Sequence, residues 1–267
     1  MAEISAALVK ELRDQTSAPM MDCKRALQET NGDMEAAVRL LREKGMAGAA
    51  KRSDRATPEG KVGYRLADDA KRGTMVAVGC ETDPVSNNDE FLAFAKKVLE
   101  AVEAEGPGAE AALDEERAEL AGKLGENIAV AGAARFEAVD GATIAAYAHP
   151  PRNKIGVLLQ VRGGSEDLGR KVAMHIAAMS PGWIGRDDVP EEVVDQEREI
   201  YASSDEVQSK PEQAREKIVD GMLNKRFFGA NVLVDQDWIH DSSKKVGDAL
   251  ADEGAEVLEF ERFELRA

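Results

Sequence analysis

The same order of predicted elements, strand, turn, strand and helix, occurs twice along the chain. The four predicted strands are short apolar runs bounded by turn residues, and they span residues 61–66, 74–80, 143–148 and 155–161. The two predicted helices, each with one apolar stripe, span residues 90–102 and 167–179. We interpret the repeat as a duplicated α+β unit, although two hairpin-plus-helix segments can also coincide by chance.

Three helical segments precede the repeat. Apolar residues recur at helical spacing over residues 4–12, 23–27 and 34–41. The turns Ser17-Ala18-Pro19 and Asn31-Gly32-Asp33 separate the segments; the second turn caps the third helix, and Gly45 is expected to end it. Residues 47–60 are small and charged without periodicity, so we interpret them as a linker that can be helical in part.

Two charged helical stretches lie later in the chain, over residues 189–201 and 211–224, on either side of a polar break at residues 203–205. Both stretches are too polar to be fully buried, so they predict a helical hairpin that projects from the body of the protein. Apolar residues within 258–263 predict a closing strand near the C-terminus.

The charge of the chain restricts its partners. It has 51 Asp and Glu against 35 Lys and Arg, a formal charge of -16, which repels a phosphate backbone and argues against direct contact with nucleic acid. No apolar run approaches the roughly 20 residues that cross a bilayer, and no signal-peptide block is seen, so we expect a cytoplasmic protein without membrane contact. Cys23 and Cys80 lack zinc-site spacing and are interpreted as reduced, buried thiols.

Residues for a catalytic or metal site are scarce in the sequence. His149, His175 and His240 share no metal-binding spacing, and neither GxSxG nor GxxxxGK[ST] occurs. Residues 163–164, a Gly-Gly pair, are interpreted as a plain turn. His175 is expected to be half-buried on its helix, with a contact role as the alternative. We therefore expect no enzyme activity, no metal and no cofactor.

One polar segment favours a binding role. Residues 81–89, ETDPVSNND, follow the predicted strand that ends at Cys80, and exposed side chains at the end of a strand frequently bind partners. The alternative is that an aspartate of this segment only caps the next helix. Capping is the better interpretation for Asp89, which directly precedes that helix, than for Asp83, six residues earlier.

Several segments match the signatures of a known family. Residues 12–27 read LRDQTSAPMMDCKRAL, residues 80–85 read CETDPV, residues 123–128 read KLGENI and residues 173–178 read AMHIAA. Together with Arg262-Phe263-Glu264 near the C-terminus, they resemble the bacterial elongation factor Ts family, and the likeness covers the whole chain.

The resemblance implies an α+β fold with three parts. These are an N-terminal three-helix domain similar to ubiquitin-associated domains, a duplicated α+β core, and a coiled-coil helical hairpin inserted in the second half of the core. The expected bounds are residues 1–54 for the helical domain with its linker, 55–140 and 141–267 for the core halves, and 187–226 for the hairpin.

The resemblance also implies a mechanism. Members of the family bind GDP-loaded elongation factor Tu; one loop enters beside the nucleotide site, magnesium coordination is disturbed, and GDP leaves without covalent chemistry. The loop corresponds here to Thr82, Asp83, Pro84 and Val85. Whether the hairpin joins two such complexes into a dimer of heterodimers stays open.

Partner-binding positions are implied in both halves of the chain. The N-terminal contact residues implied by the resemblance are Lys10, Arg13, Met20 and Met21. For the methionines, the alternative is burial in the core of the helical domain. In the second half, His149 and His175 match positions that the resemblance places near the partner.

Pro84 departs from the family pattern, which has Phe at this position, and Gly79 stands where the pattern has Asn. A proline cannot place an aromatic ring between side chains of a partner. We expect Pro84 to hold the loop in one extended shape, so that the loop acts by its shape and through Asp83. The alternative is a protein that holds the GTPase without promoting exchange, such as an adaptor.

Overall fold

The computed structural model describes residues 4–16 and 18–266. Three helices open the chain, as predicted: α1 (Ala6–Thr16), α2 (Met20–Glu29) and α3 (Met34–Ala50). Their shared core is small and apolar, and Leu12, Cys23 and Leu27 are fully buried in it. Ser17, a member of the predicted first turn, lies outside the described residues.

Two antiparallel sheets of three strands form the core, with the orders β1-β2-β3 and β4-β5-β6. The strands are β1 (Glu59–Leu66), β2 (Arg72–Cys80), β3 (Ile128–Glu137), β4 (Ala142–Ala148), β5 (Ile155–Arg162) and β6 (Glu256–Glu264). The four predicted strands of the repeat and the predicted closing strand are confirmed.

Strand β3 is the one that the sequence does not predict. Its residues read IAVAGAARFE, and its many small side chains hide the alternation typical of a strand. Gly132 has to be small, because a Cβ atom there would lie 2.8 Å from the ring of Phe263 on β6. β3 extends the repeat, since in each half a third strand returns to pair with the central strand, β2 or β5.

Helices cover the outer face of each sheet. The first sheet carries α4 (Asp83–Ser86), α5 (Asp89–Glu105) and α6 (Asp114–Leu124). The later helices are α7 (Glu166–Met179), α8 (Glu191–Ser203), α9 (Asp205–Gln208), α10 (Glu212–Met222), α11 (Gly229–Asn231) and α12 (Val246–Asp252). Short 3-10 segments span Ala109–Leu113, Arg186–Asp188 and Leu233–Asp235, and a π-helical segment spans Leu223–Phe228. Within residues 4–16 and 18–266, no helix is both long enough and apolar enough to cross a membrane.

The two sheets pack face to face, so the order of layers is helix, sheet, sheet, helix. Met75 of β2 and Leu158 of β5 lie in the layer between the sheets. Their neighbours Val76 and Val157 point the other way, into the apolar clusters under α5 and α7. The central strands are therefore buried on both faces, and the predicted α+β duplication is confirmed.

Helices α8 and α10 form the predicted hairpin. The side chains of α8 are exposed or half-buried, as expected for a projecting helix. The hairpin is nevertheless anchored, because Leu223 and Phe227 of the π-helical segment are buried in an apolar cluster at its base. Arg186 pairs with Asp235 at 2.7 Å and 2.9 Å and lies 4.6 Å from the centre of the Phe228 ring. The bounds expected for the insert and for the core halves stay predictions.

Gly45 does not end α3, and that prediction is wrong. The helix, capped by Asp33 as predicted, continues through Gly45 to Ala50. Gly45 lies where α3 crosses α6: a Cβ atom on Gly122 of α6 would be only 2.8 Å from the Gly45 backbone. Two facing glycines thus let the helix backbones touch, which joins the N-terminal helices to the core.

This crossing predicts an unequal response to two similar substitutions. Gly122→Ala should destabilise the protein by about 1–3 kcal/mol, because the added methyl group collides with backbone atoms that cannot rotate away. Gly221→Ala is the control, since in α10 its Cβ would meet no described atom within 4 Å. That change should be neutral or stabilising by up to about 1 kcal/mol. Thermal unfolding measures both, and equal shifts in melting temperature would contradict the proposed helix contact.

Candidate functional site

The segment after β2 begins with one helical turn. The chain leaves the sheet at Cys80 and passes through Glu81 and Thr82 into α4, in which Pro84 lies in the first turn. The expectation that Pro84 holds an extended loop is wrong. A proline fixes φ near the helical value, and its missing N–H is one that a first helical turn leaves unpaired, so proline suits the start of a helix.

The next helix, α5, is capped by Asn88. The side-chain oxygen of Asn88 accepts hydrogen bonds from the backbone N–H groups of Glu90 at 2.9 Å and Phe91 at 3.3 Å. Asp89, the predicted cap, is instead the first residue of the helix, so that prediction is wrong by one position. Asparagine and aspartate cap helices equally well, and only the backbone turn decides which one is in place.

The candidate loop, Thr82 to Val85, presents its polar residues to solvent. Thr82, Asp83 and Pro84 are exposed, whereas Val85 is half-buried against the apolar cluster of the first sheet. Ser86 is buried, and its hydroxyl donates to the carbonyl oxygen of Asp83 at 2.8 Å. The loop therefore has an apolar side fixed to the body and a polar tip available to a partner.

Glu126 holds the base of this loop. One of its carboxylate oxygens accepts the backbone N–H groups of Glu81 and Thr82, both at 3.0 Å, and the other accepts the Thr82 hydroxyl at 2.6 Å. Hydrogen bonds to a carboxylate are stronger than those between neutral groups. In the sequence, Glu126 stands out only as part of the KLGENI segment; the signal for its role is that it begins a polar pair directly after the glycine that ends α6.

Cys80 is buried beneath the loop and is not reactive. Burial raises the pKa of its thiol to about 12, and the nearby negative charge of Glu126 acts in the same direction. The thiol donates to the carbonyl oxygen of Thr82 at 3.3 Å. A thiol with so high a pKa stays protonated, so Cys80 packs as a small apolar residue. Cys23 is likewise buried and free, and the prediction that both thiols are buried is confirmed.

The N-terminal candidate residues lie on the surface. Met20 is 46% and Met21 62% exposed at the start of α2, and Lys10 and Arg13 are exposed on α1. The alternative, in which the methionines fill the core of the helical domain, is wrong, because apolar residues such as Leu12 occupy that core. Exposed methionines with neighbouring cations form a surface that can adapt to a partner.

The structure places the β4–β5 turn beside the loop and the end of α1 near the helix that follows the loop. A cleft of about 490 Å3 is lined by Gln15 of α1 and by Glu90 of α5, so the end of α1 faces the helix that follows the loop. Lys61 of β1 donates to the side chain of Asn87 at 3.0 Å and to the carbonyl oxygen of Arg152 at 3.3 Å. The turn between β4 and β5, which carries the exposed His149, therefore lies beside the loop.

His175 is not part of this surface. The expectation of a half-buried ring is wrong, because the residue is 0% exposed and its ring stacks on Trp238. The N–H of Ile239 donates to Nδ1 at 3.4 Å, so Nε2 carries the proton and donates to Gln236 at 2.9 Å. Burial lowers the pKa of this neutral histidine. A partner cannot touch such a ring, and the predicted contact role for His175 is wrong.

Comparisons with known proteins agree on one family. A family model described as Elongation factor TS matches residues 81–267. A protein named elongation factor Ts from Thioalkalivibrio sulfidiphilus is 42% identical over 98% of this chain and 92% of its own length. Those from Teredinibacter turnerae and Methylococcus capsulatus are 42% and 41% identical over 98% of this chain, and over 90% and 92% of their own lengths. These alignments extend over the N-terminal helices as well.

The buried His175 predicts a pH dependence of stability. Its pKa in the folded protein is lowered, so below the ordinary value of about 6.5 the unfolded chain binds more protons, and stability falls as the pH falls. The slope from this group can reach about 1.4 kcal/mol per pH unit. His175→Gln should flatten the change in unfolding free energy between pH 6.5 and 5.5. His149→Gln, which alters an exposed ring, should keep the slope of the wild type. Parallel curves for the wild type and His175→Gln would contradict the assignment.

Proposed function

The chain belongs to the elongation factor Ts family, and on this premise we propose that it binds GDP-loaded elongation factor Tu and promotes the release of GDP. The family makes it a translation elongation factor; its place of action is then the cytoplasm, where elongation occurs. The observation that carries the proposal is the exposed, clamped loop from Thr82 to Val85, which lies at the same end of the molecule as the turn that carries His149.

The proposed action is thermodynamic and needs no covalent step. An exchange factor and a nucleotide lower each other's affinity for the GTPase by the same factor. Contacts that are made best in the nucleotide-free state of the GTPase therefore favour release of GDP. Magnesium neutralises the phosphates of GDP, so a loop that disturbs the metal leaves those charges uncompensated and weakens nucleotide binding.

In this proposal the loop acts through the position of its tip. Asp83 is an exposed carboxylate beside Pro84, and it can repel phosphate oxygens or compete for the metal of the GTPase. The clamp by Glu126 holds the backbone of Glu81 and Thr82 in place before any partner arrives. A loop that is already ordered loses less conformational entropy on docking, which offsets part of the missing aromatic contact at Pro84.

The N-terminal surface supplies docking rather than displacement of the nucleotide. Met20 and Met21 provide flexible apolar contacts. The planar guanidinium group of Arg13 can donate two parallel hydrogen bonds to one carboxylate. Lys10 adds a charge on the same helix. His149, exposed and hydrogen-bonded to the Tyr147 hydroxyl at 2.9 Å, is a second-half contact.

Pro84 favours one alternative function. Without an aromatic ring at this position, the chain can act as a holding partner or adaptor that binds the GTPase and leaves its nucleotide in place. Release of a fluorescent GDP from purified elongation factor Tu separates the two functions. Faster release in the presence of the protein supports exchange, and unchanged release with intact binding supports holding.

The loop proposal predicts different effects of two adjacent substitutions. Asp83→Ala should lower the rate of GDP release at saturating factor by about tenfold, because the bound loop then lowers the affinity of the GTPase for GDP by a smaller factor. Pro84→Phe should leave the rate equal or faster. Stopped-flow release of labelled GDP measures both rates, and the loss caused by Asp83→Ala should exceed any change in complex affinity. Asp187→Ala, which removes an exposed carboxylate from the second half, is the control. A rate for Asp83→Ala equal to the wild type would remove this loop from the mechanism.

The docking proposal predicts weaker binding without loss of stability. Arg13→Ala and Met20→Ala should each raise the dissociation constant of the complex by about tenfold. Their melting temperatures should stay close to the wild type, because exposed side chains contribute within about 0.5 kcal/mol. Arg170→Ala and Met179→Ala alter exposed residues of the same types on α7 and serve as matched controls. Binding titrations in which all four variants behave alike would place the docking surface elsewhere.

A further inference from the structure

Asn127 joins two segments that are far apart in the sequence, the linker after α3 and the loop after β2. Its side-chain amide donates to the carbonyl oxygens of Ser53 at 3.1 Å and Arg55 at 2.7 Å. Its backbone N–H donates to the carboxylate of Glu81 at 2.7 Å. Only 4% of the residue is exposed, so water cannot easily replace these bonds when one of them is lost.

The residue type at position 127 suits this double contact. An asparagine amide has two N–H donors, one for each carbonyl oxygen of the linker. Aspartate has the same shape but only acceptors, so it would face both carbonyl oxygens with negative charge. Gly125, with φ of +76°, ends α6 in the left-handed conformation. After this turn, Glu126 contacts the loop and Asn127 contacts the linker.

Helix α6 brings the N-terminal helices into the same arrangement. Gly122 of α6 touches α3 at Gly45, the helix ends two residues later at Leu124, and Gly125 then leads into Glu126 and Asn127. Arg55 of the linker also lies 3.4 Å from the carboxylate of Glu81, although the arginine is mostly exposed and this pair adds little. The path from α3 to the loop therefore passes through the end of α6: it begins with the close backbone contact at Gly122 and continues through the hydrogen bonds of Glu126 and Asn127.

We propose that Asn127, together with Glu126, is a positioning residue that sets the geometry between the N-terminal docking surface and the loop. This inference rests on the proposed function and deepens it. A free linker lets two binding surfaces move independently, and each must then be ordered separately when the partner binds. With the linker bonded to Asn127 and the loop bonded to Glu126, docking through α1 and α2 places Thr82 to Val85 with little further loss of entropy.

The first test uses hydrogen exchange of the full, free protein. Asn127→Asp should speed exchange by about tenfold both in the linker, residues 51–57, and at the amides of Glu81 and Thr82. Asn231→Asp is the control for the same change of residue type: Asn231 is half-buried, and its side chain donates to a backbone carbonyl oxygen, that of Phe227, at 2.9 Å. The control should leave both segments unchanged.

The second test measures GDP release from elongation factor Tu. Asn127→Asp should lower the maximal rate by about tenfold and change the half-saturating concentration less, as expected for a residue that positions the loop. Glu126→Ala should behave in the same way. Glu126→Gln should stay close to the wild type, because its amide oxygen can accept both N–H groups and its NH2 can donate to the Thr82 hydroxyl.

A double variant tests the connection itself. If the linker contact couples the two surfaces, adding Arg13→Ala to Asn127→Asp should lower the release rate at a fixed, sub-saturating concentration of the factor by less than the product of the single effects. Multiplicative effects, or faster hydrogen exchange confined to the linker with a wild-type release rate, would overturn the inference and leave the proposed function in place. If the wild-type protein does not speed GDP release, the proposed function is overturned instead. The hydrogen-exchange data alone would then decide whether Asn127 joins the linker and the loop.

Discussion

The face-to-face contact of the two sheets is the constraint on which the rest of the molecule depends. The sheets approach so closely that a Cβ atom on Gly156 of β5 would lie 2.3 Å from the Val62 side chain of β1. Because β2 and β5 are buried on both faces, most of their side chains are apolar, and exposed polar side chains follow where these strands end. The candidate loop starts at such an end, and Lys61 ties it to the β4–β5 turn.

Electrostatics then determine the form of the loop. Burying part of the Glu126 carboxylate would cost free energy without hydrogen bonds, and two N–H groups and one hydroxyl donate to it here. These bonds turn the first residues after β2 into a fixed base for α4. The proline at position 84 suits this arrangement, since it removes an N–H that the short helix would leave unpaired. Shape and charge at the tip are thus set before any partner binds.

Local pattern accounts for the parts of the fold that could be predicted. The apolar stripe of α5, with Phe91 and Phe94 on one face, and the dense apolar runs of β2 and β5 depend on nearest neighbours along the chain. β3 could not be predicted because Gly132 is small in order to leave room for the ring of Phe263, a residue on the other sheet. For the same reason Gly45 resembled a helix end, although it is a contact point for α6.

By itself, the sequence predicted the three N-terminal helices, the repeated order of strand, turn, strand and helix, and the segments that match the family, and it contains no motif for catalysis; it did not predict β3. Only the tertiary structure decided which residues hold the site. Glu126 meets Thr82 across 44 positions of chain and Asn127 meets Ser53 across 74, and His175 is buried by contacts with Gln236, 61 positions away. Hydrogen bonds and burial depend on distances in space, and the packing of sheets and helices sets those distances between residues that no local pattern connects.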